Sequence, residues 1–188
     1  MSKLRTINQS VDLLVELAKE YNQKAQLALY DKYSGKMLGV CRQYIRDLQY
    51  AEDVMITAFH KAFQNIEKYE PYGSFEGWLR RIMVRECISY LRIHKNKFNV
   101  VEIGDYHFIQ PASKTEDSTS DVIQKAVDQL PVGCKTIFNL YVIEGYKHRE
   151  IAALLKISVG TSKSQLAHAK KLLKNSLIQL NLKENGTK

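Results

Sequence analysis

The sequence predicts an all-α fold of two small helical domains joined by a flexible linker. Three observations lead there. Apolar residues recur at three- and four-residue spacing from Val11 to about Lys97, the period vanishes over residues 99–121, and it returns from Asp121 onward. No alternating strand pair and no internal repeat is visible. The three prolines, Pro71, Pro111 and Pro131, all fall outside the periodic segments.

The first domain, residues 1–98, is predicted to hold helices over 11–20, 24–47, 51–69 and 75–95. Leu27, Tyr30, Tyr33, Leu38 and Tyr44 are apolar positions of the second, and Val54, Ala58, Phe59, Ala62, Phe63 and Ile66 of the third. A turn is expected at Glu70-Pro71-Tyr72-Gly73-Ser74. Residues 99–121 are rich in Ser and Thr, and between Asn99 and Asp128 six acids stand against two lysines. An irregular stretch this long reads as an acidic linker rather than a loop within one domain. The second domain, residues 122–188, should carry helices near 121–129, 134–144, 148–156 and 161–180.

Charge narrows the function. The 28 Lys and Arg exceed the 20 Asp and Glu, giving +8, which points to a polyanionic partner. No stretch approaches the roughly 18 apolar residues of a membrane span, so no membrane insertion is expected. The N-terminal MSKLRTINQS lacks the apolar core of a signal peptide. Cys41, Cys87 and Cys134 are odd in number and far apart, which suits buried thiols in a reducing cytoplasm better than a disulfide framework or a zinc site. No metal and no cofactor is expected.

The segment from Arg149 to Leu177 has the pattern of a helix-turn-helix. Ile151, Ala152 and Leu155 share one side of the first helix, and the small Ala152 permits a close crossing. Ile157 fills the corner, and the Ser158 hydroxyl can cap the second helix near Thr161. Leu166, Ala169, Leu173 and Leu177 then form the apolar stripe, opposite Lys163, Ser164, Ala167, Lys170, Lys171 and Lys174. The early turns of such a helix enter the major groove, so Thr161, Lys163, Ser164 and Gln165 are candidates for base edges. Lys170, Lys171, Lys174 and Arg149 are candidates for phosphates.

A second basic element lies in the first domain. From Trp78 to Lys97 six positive charges face one acid, Glu86. On a helical wheel Arg81, Arg85 and Arg92 fall within about 40° of each other, beside a face made of Phe75, Trp78, Leu79, Ile82, Met83 and Tyr90. Arginines beside aromatics suit single-stranded or partly melted nucleic acid. Phe75 and Trp78 are better read as core anchors, whereas Tyr69, Tyr72 and Ser74 in or beside the turn are expected to be exposed.

Taken together, these motifs resemble an RNA polymerase sigma factor of the extracytoplasmic-function group of the sigma-70 family. Ala51-Glu52-Asp53-Val54 with Ala58-Phe59 is similar to the family's region 2, and Phe75-Glu76-Gly77-Trp78-Leu79 to the opening of its promoter-melting helix. Asp128-Gln129-Leu130-Pro131, Glu150-Ile151-Ala152 and Ser158-Val159-Gly160-Thr161 are similar to region 4. The resemblance implies a region 2-like four-helix domain and a region 4-like helix-turn-helix domain. It implies contact with core RNA polymerase through Glu52, Asp53, Thr57, Phe59 and His60. Capture and melting of a −10 promoter element would use Tyr69, Tyr72, Ser74, Arg81, Arg85, Ser89, Arg92 and Lys95. Reading of a −35 element would use Arg149, Thr161, Ser162, Lys163, Ser164, Gln165, His168, Lys170 and Lys171. Core polymerase and promoter DNA are the implied partners, with an anti-sigma factor as a further one.

Some positions depart from the family pattern. Ile56-Thr57 replaces a usual Gln-Glu pair, which predicts a modified polymerase contact. Ser162 replaces an apolar residue on the core-facing stripe and should loosen packing. Gln165 and His168 replace arginines, predicting a changed −35 preference, and Lys147 should cap its helix poorly.

Two other classes remain to be separated. An enzyme finds little support, because the five histidines (His60, His94, His107, His148, His168) lack metal spacing and there is no phosphate-cradling glycine loop. A helix-turn-helix regulator independent of polymerase would need a sensing or dimerising domain in residues 1–98, where the basic aromatic helix lies instead.

Overall fold

The computed structural model describes residues 10–94 and 125–185. The chain forms two compact units that divide after Ile93. The predicted linker, residues 99–121, lies outside the described residues, as do Lys95 and the first residues of the helix expected near 121–129.

In the N-terminal unit, polar side chains set where each helix begins. α1 spans Val11–Lys19 behind Ser10, whose hydroxyl accepts from Leu13 N at 3.3 Å. α2 spans Gln23–Tyr44 behind Asn22, which accepts from Lys24 N and Ala25 N. α3 spans Leu48–Gln64, three residues longer at its start than the sequence predicts, because Asp47 caps it by accepting from Tyr50 N. Each such cap contributes about 1 kcal/mol. A 3-10 turn at Ile66–Lys68 then leads to the turn before α4, which spans Phe75–Ile93.

α4 packs against both α2 and α3, and α1 covers α2. Leu29, Met37, Ile45, Leu79, Met83 and Val84 are fully buried between them. Burial of a side chain such as Leu79 contributes about 1.5–3 kcal/mol. The stripe that α2 buries is Ala25, Leu29, Tyr33, Met37, Val40, Cys41 and Tyr44. Leu27, expected among the apolar positions, is 60% exposed because, two residues from both Ala25 and Leu29, it faces away from that stripe. Cys41 and Cys87 meet inside this core, and their mutual hydrogen bond, with burial, pushes ionisation of the Cys87 thiol far up.

The C-terminal unit opens with a helical turn at 125–128. Pro131 (φ −51°) then leads into α5, Val132–Phe138. α5 continues as one wide π turn, Asn139–Ile143, in place of the plain helix predicted to 144. Tyr146 N donates to Leu140 O at 2.9 Å and closes the reversal there, where Gly145 has a φ of +75° that favours glycine. α6 spans His148–Leu155 and α7 spans Val159–Asn185. Val127, Leu130, Cys134 and Ala169 form a core cluster, with Phe138, Leu172 and Leu173 packed against it.

Polar groups are drawn into this unit. The Lys135 ammonium, 5% exposed, pairs with Asp128 at 2.6 Å. The Cys134 thiol donates to Gln165 Oε1 at 2.8 Å, and burial raises its pKa to about 11.

Candidate nucleic-acid interface

The first half of the interface surrounds the start of α4. Ser74 caps that helix, its hydroxyl accepting from Gly77 N at 3.1 Å. Its lone pairs are thus engaged with the backbone while its position remains exposed. Tyr72 projects from the preceding turn at 93% exposure. Tyr69, expected to be exposed, is 7% exposed instead. Its ring packs edge-on to Phe75 (5.5 Å) and Trp78 (5.6 Å), and its hydroxyl donates to Gly73 O at 2.8 Å. A ring flanked by two aromatics gains more from burial than from solvent, so Tyr69 belongs to the framework of the turn. Phe75 is buried and Trp78 half-buried, as their spacing predicts.

Further along α4, Arg81, Arg85 and Arg92 are all exposed, and Ser89 is half-buried. The three arginines span about 16 Å of helix, enough for several phosphates of one strand. Glu86, the lone acid of this stretch, is only 17% exposed and is tied to Lys61 of α3 at 2.7 Å. Lys36 of α2 holds Glu76 in the first turn at 2.9 Å.

α3 exposes Glu52, Asp53, Thr57 and His60 along one stripe. Phe59, assigned to polymerase contact by resemblance, is 3% exposed and packs at a tilt between the rings of Tyr30 and Phe63. It lies on the opposite side of the helix and holds the core. Its place on the surface is taken by Ile56, 54% exposed, one of the two positions that depart from the family pattern here. An apolar residue among polar neighbours on a helix face was the available signal.

The second half of the interface is the helix-turn-helix. Lys156 adopts the left-handed conformation (φ 54°) at the end of α6, and Ile157 N donates to Ala152 O at 3.1 Å. Ser158 then caps α7, accepting from Thr161 N at 2.9 Å as its position predicts. The start of α6 is better held than Lys147 suggests: the Lys147 N–H donates to the Glu150 carboxylate at 2.6 Å, the acidic half of a capping box.

Along α7, Thr161, Lys163, Ser164, Lys170, Lys171 and Lys174 are exposed, and Arg149 is exposed on α6. The Ser164 hydroxyl donates to Thr161 O at 3.1 Å, which leaves lone pairs, and not its proton, for a base edge. Ser162, assigned to the −35 contact by resemblance, turns inward instead. It is fully buried, so it cannot touch DNA, and its hydroxyl meets His148 Nδ1 at 2.9 Å. His148 in turn stacks on Tyr141 at 4.6 Å. A polar residue on the apolar stripe therefore acquires a partner, and the loosening expected there is offset by an interhelical hydrogen bond. Gln165 is half-buried and folded back onto α5, with its carbonyl oxygen held by Cys134. His168 is half-buried as well. Among the described residues no group of His, Cys, Asp and Glu could hold a metal ion, and no helix is long and apolar enough to cross a membrane.

Comparison with known proteins gives this arrangement its family. Residues 29–96 match Sigma-70 region 2 and residues 120–173 match Sigma-70, region 4, together about two-thirds of the chain. The chain is 26% identical to the RNA polymerase sigma-H factor of Pseudomonas aeruginosa, over 87% of this chain and 92% of that protein. It is 25% identical to the ECF RNA polymerase sigma-E factor of Haemophilus influenzae (87% and 93%) and 26% identical to the ECF RNA polymerase sigma factor SigW of Bacillus subtilis (88% and 96%). Among solved structures, the sigma factor RpoE of Bartonella quintana in complex with the anti-sigma factor NepR aligns at 20% identity and a TM-score of 0.48, covering 85% of this chain and 97% of that one. This chain belongs to the sigma-70 family of RNA polymerase sigma factors, in its extracytoplasmic-function group.

Proposed function

We propose that this protein is a transcription initiation factor that binds core RNA polymerase and directs it to particular promoters. The observation that carries the reading is that each unit presents its own exposed basic helix face, Arg81, Arg85 and Arg92 on α4 and Lys163, Lys170 and Lys171 on α7, within the two matched sigma regions. A regulator working apart from polymerase needs one such face, and this chain has two.

In this reading Thr161, Lys163 and Ser164 meet the −35 base edges while Arg149, Lys170 and Lys171 meet phosphates. Tyr72 and the α4 arginines hold the −10 strand as it melts, pairing guanidinium groups with phosphates and an aromatic face with bases. The exposed stripe Glu52, Asp53, Ile56, Thr57 and His60 docks on polymerase. The factor acts by binding and not by catalysis, and its work lies in the cytoplasm with polymerase. An anti-sigma factor that covers either basic face would withhold it.

Run-off transcription with purified core polymerase tests this. The full chain should co-purify with core enzyme and produce discrete start sites on genomic templates. If it fails to bind core enzyme yet shifts duplex DNA as a dimer, the regulator reading replaces this one.

A further inference from the structure

The turn between the 3-10 helix and α4 is fastened at both ends. At one end the Tyr69 hydroxyl donates to Gly73 O at 2.8 Å, across four residues. At the other the Ser74 hydroxyl accepts from Gly77 N, and Trp78 N donates to Ser74 O at 3.1 Å. The Tyr69 ring is fixed in turn between Phe75 and Trp78, so the donor is aimed by α4 itself. Within this closed turn Pro71, Tyr72 and Gly73 are all exposed, and Tyr72 at 93% exposure lies open to solvent on all sides. Held out by a fastened turn, its ring presents both faces for stacking.

We propose that Tyr69 is a positioning residue. Its hydroxyl, by latching the Gly73 carbonyl, holds Tyr72 out as a stacking platform for an unpaired base of single-stranded DNA. The ligand class follows from the surroundings. The next exposed side chains along α4 are Arg81 and Arg85, which suit the phosphates of the strand whose base lies on the ring. Neither the ring of Tyr69 nor its hydroxyl reaches the DNA, because both are buried in the turn; its effect passes wholly through Tyr72. This inference rests on the initiation-factor reading and deepens it.

The test uses holoenzyme assembled from core polymerase and the full chain. The probe is a fluorescein-labelled single strand of roughly 12 nucleotides, taken from the non-template −10 region of a promoter mapped by run-off transcription. Tyr72→Ala should weaken binding of this probe about tenfold, the loss of one base–aromatic stack. Tyr69→Phe keeps all of its ring contacts and removes only the latch, and should weaken binding about three- to fivefold. In the Tyr72→Ala background, Tyr69→Phe should cost nothing further, since the residue it positions is gone. Affinity for core polymerase should be unchanged in all three.

Equal losses from Tyr69→Phe in both backgrounds would make Tyr69 merely structural and overturn the proposal. So would wild-type binding by Tyr69→Phe or by Tyr72→Ala. If the wild-type holoenzyme yields no start sites at all, the initiation-factor reading fails and takes this inference with it. That outcome is told apart by the wild type alone.

Discussion

The N-terminal unit closes on apolar and aromatic surface, whereas the C-terminal unit is fastened by polar pairs: Lys135 with Asp128, Cys134 with Gln165 and Ser162 with His148. The N-terminal bundle has Leu29, Met37, Leu79 and Met83 to bury, and the non-directional hydrophobic effect is the main force that holds its helices. Among the described residues the C-terminal unit buries fewer apolar side chains, and it adds directional hydrogen bonds that fix the rotation and register of α7. Two of the three pairs end on α7. The difference teaches that stability and aim are met by different chemistry in the two halves of one chain.

The largest effect should come from the apolar half. Leu79→Ala removes a fully buried side chain and should destabilise the N-terminal unit by about 2–5 kcal/mol in denaturant unfolding. A cost under about 1 kcal/mol would mean that the bundle collapses around cavities and is not close-packed. In the polar half, Asp128→Ala should cost about 2–3 kcal/mol because it strands the buried Lys135 ammonium. Lys135→Met should cost less, since Asp128 is half-exposed and water can solvate it. The reverse order would show that the carboxylate and not the amine is the sensitive partner.

The Cys134 thiol supplies a pH signature. Its pKa rises from 9.0 to about 11, so the folded unit favours the neutral thiol. The associated stability is fully present below pH 9.0 and is lost as pH climbs towards about 11. Thermal melts of the wild type should fall over that window, and those of Cys134→Ala should fall less. Ser162→Ala should cost about 1 kcal/mol by removing the partner of His148. A neutral result would mean that the hydroxyl merely tolerates its buried position. Smallest of all should be the stability change from Arg85→Ala or Lys170→Ala, within about 0.5 kcal/mol, because both side chains are exposed. On the proposed function their effect falls on DNA instead. Arg85→Ala should slow open-complex formation on duplex more than on pre-melted templates, and Lys170→Ala should lower the log–log salt slope by about one.

Much of this was legible from spacing alone. The period of 3.6 revealed the helices, and the i, i+4 arginines of α4 lie where the wheel places them. The Ser158 cap could be read because local chemistry determines it. What escaped the sequence were facts set by tertiary partners. Tyr69 looks like a turn residue until Phe75 and Trp78 close on it. Phe59 belongs to the same helix as the residues that the resemblance assigns to polymerase, and only the position of α2 decides which face it takes. Ser162 reads as a packing defect because its remedy, His148, comes from another helix. The side chain of Gln165 was expected in the groove and is instead drawn back by a thiol on α5.

The ion pair between Lys61 and Glu86 also shapes what a distant DNA strand encounters. Both carboxylates of α4 are compensated, Glu86 by Lys61 at 2.7 Å and Glu76 by Lys36 at 2.9 Å, so the exposed arginines give its outer side a positive potential. At physiological salt that potential extends about 8 Å, so a phosphate backbone is drawn towards the arginines before any contact forms. Because Lys61 belongs to α3, the helix proposed to face polymerase, whatever displaces it would restore a negative spot on that side of α4. On the proposed function, the attraction for promoter DNA is in that sense set partly by a residue that need never touch it.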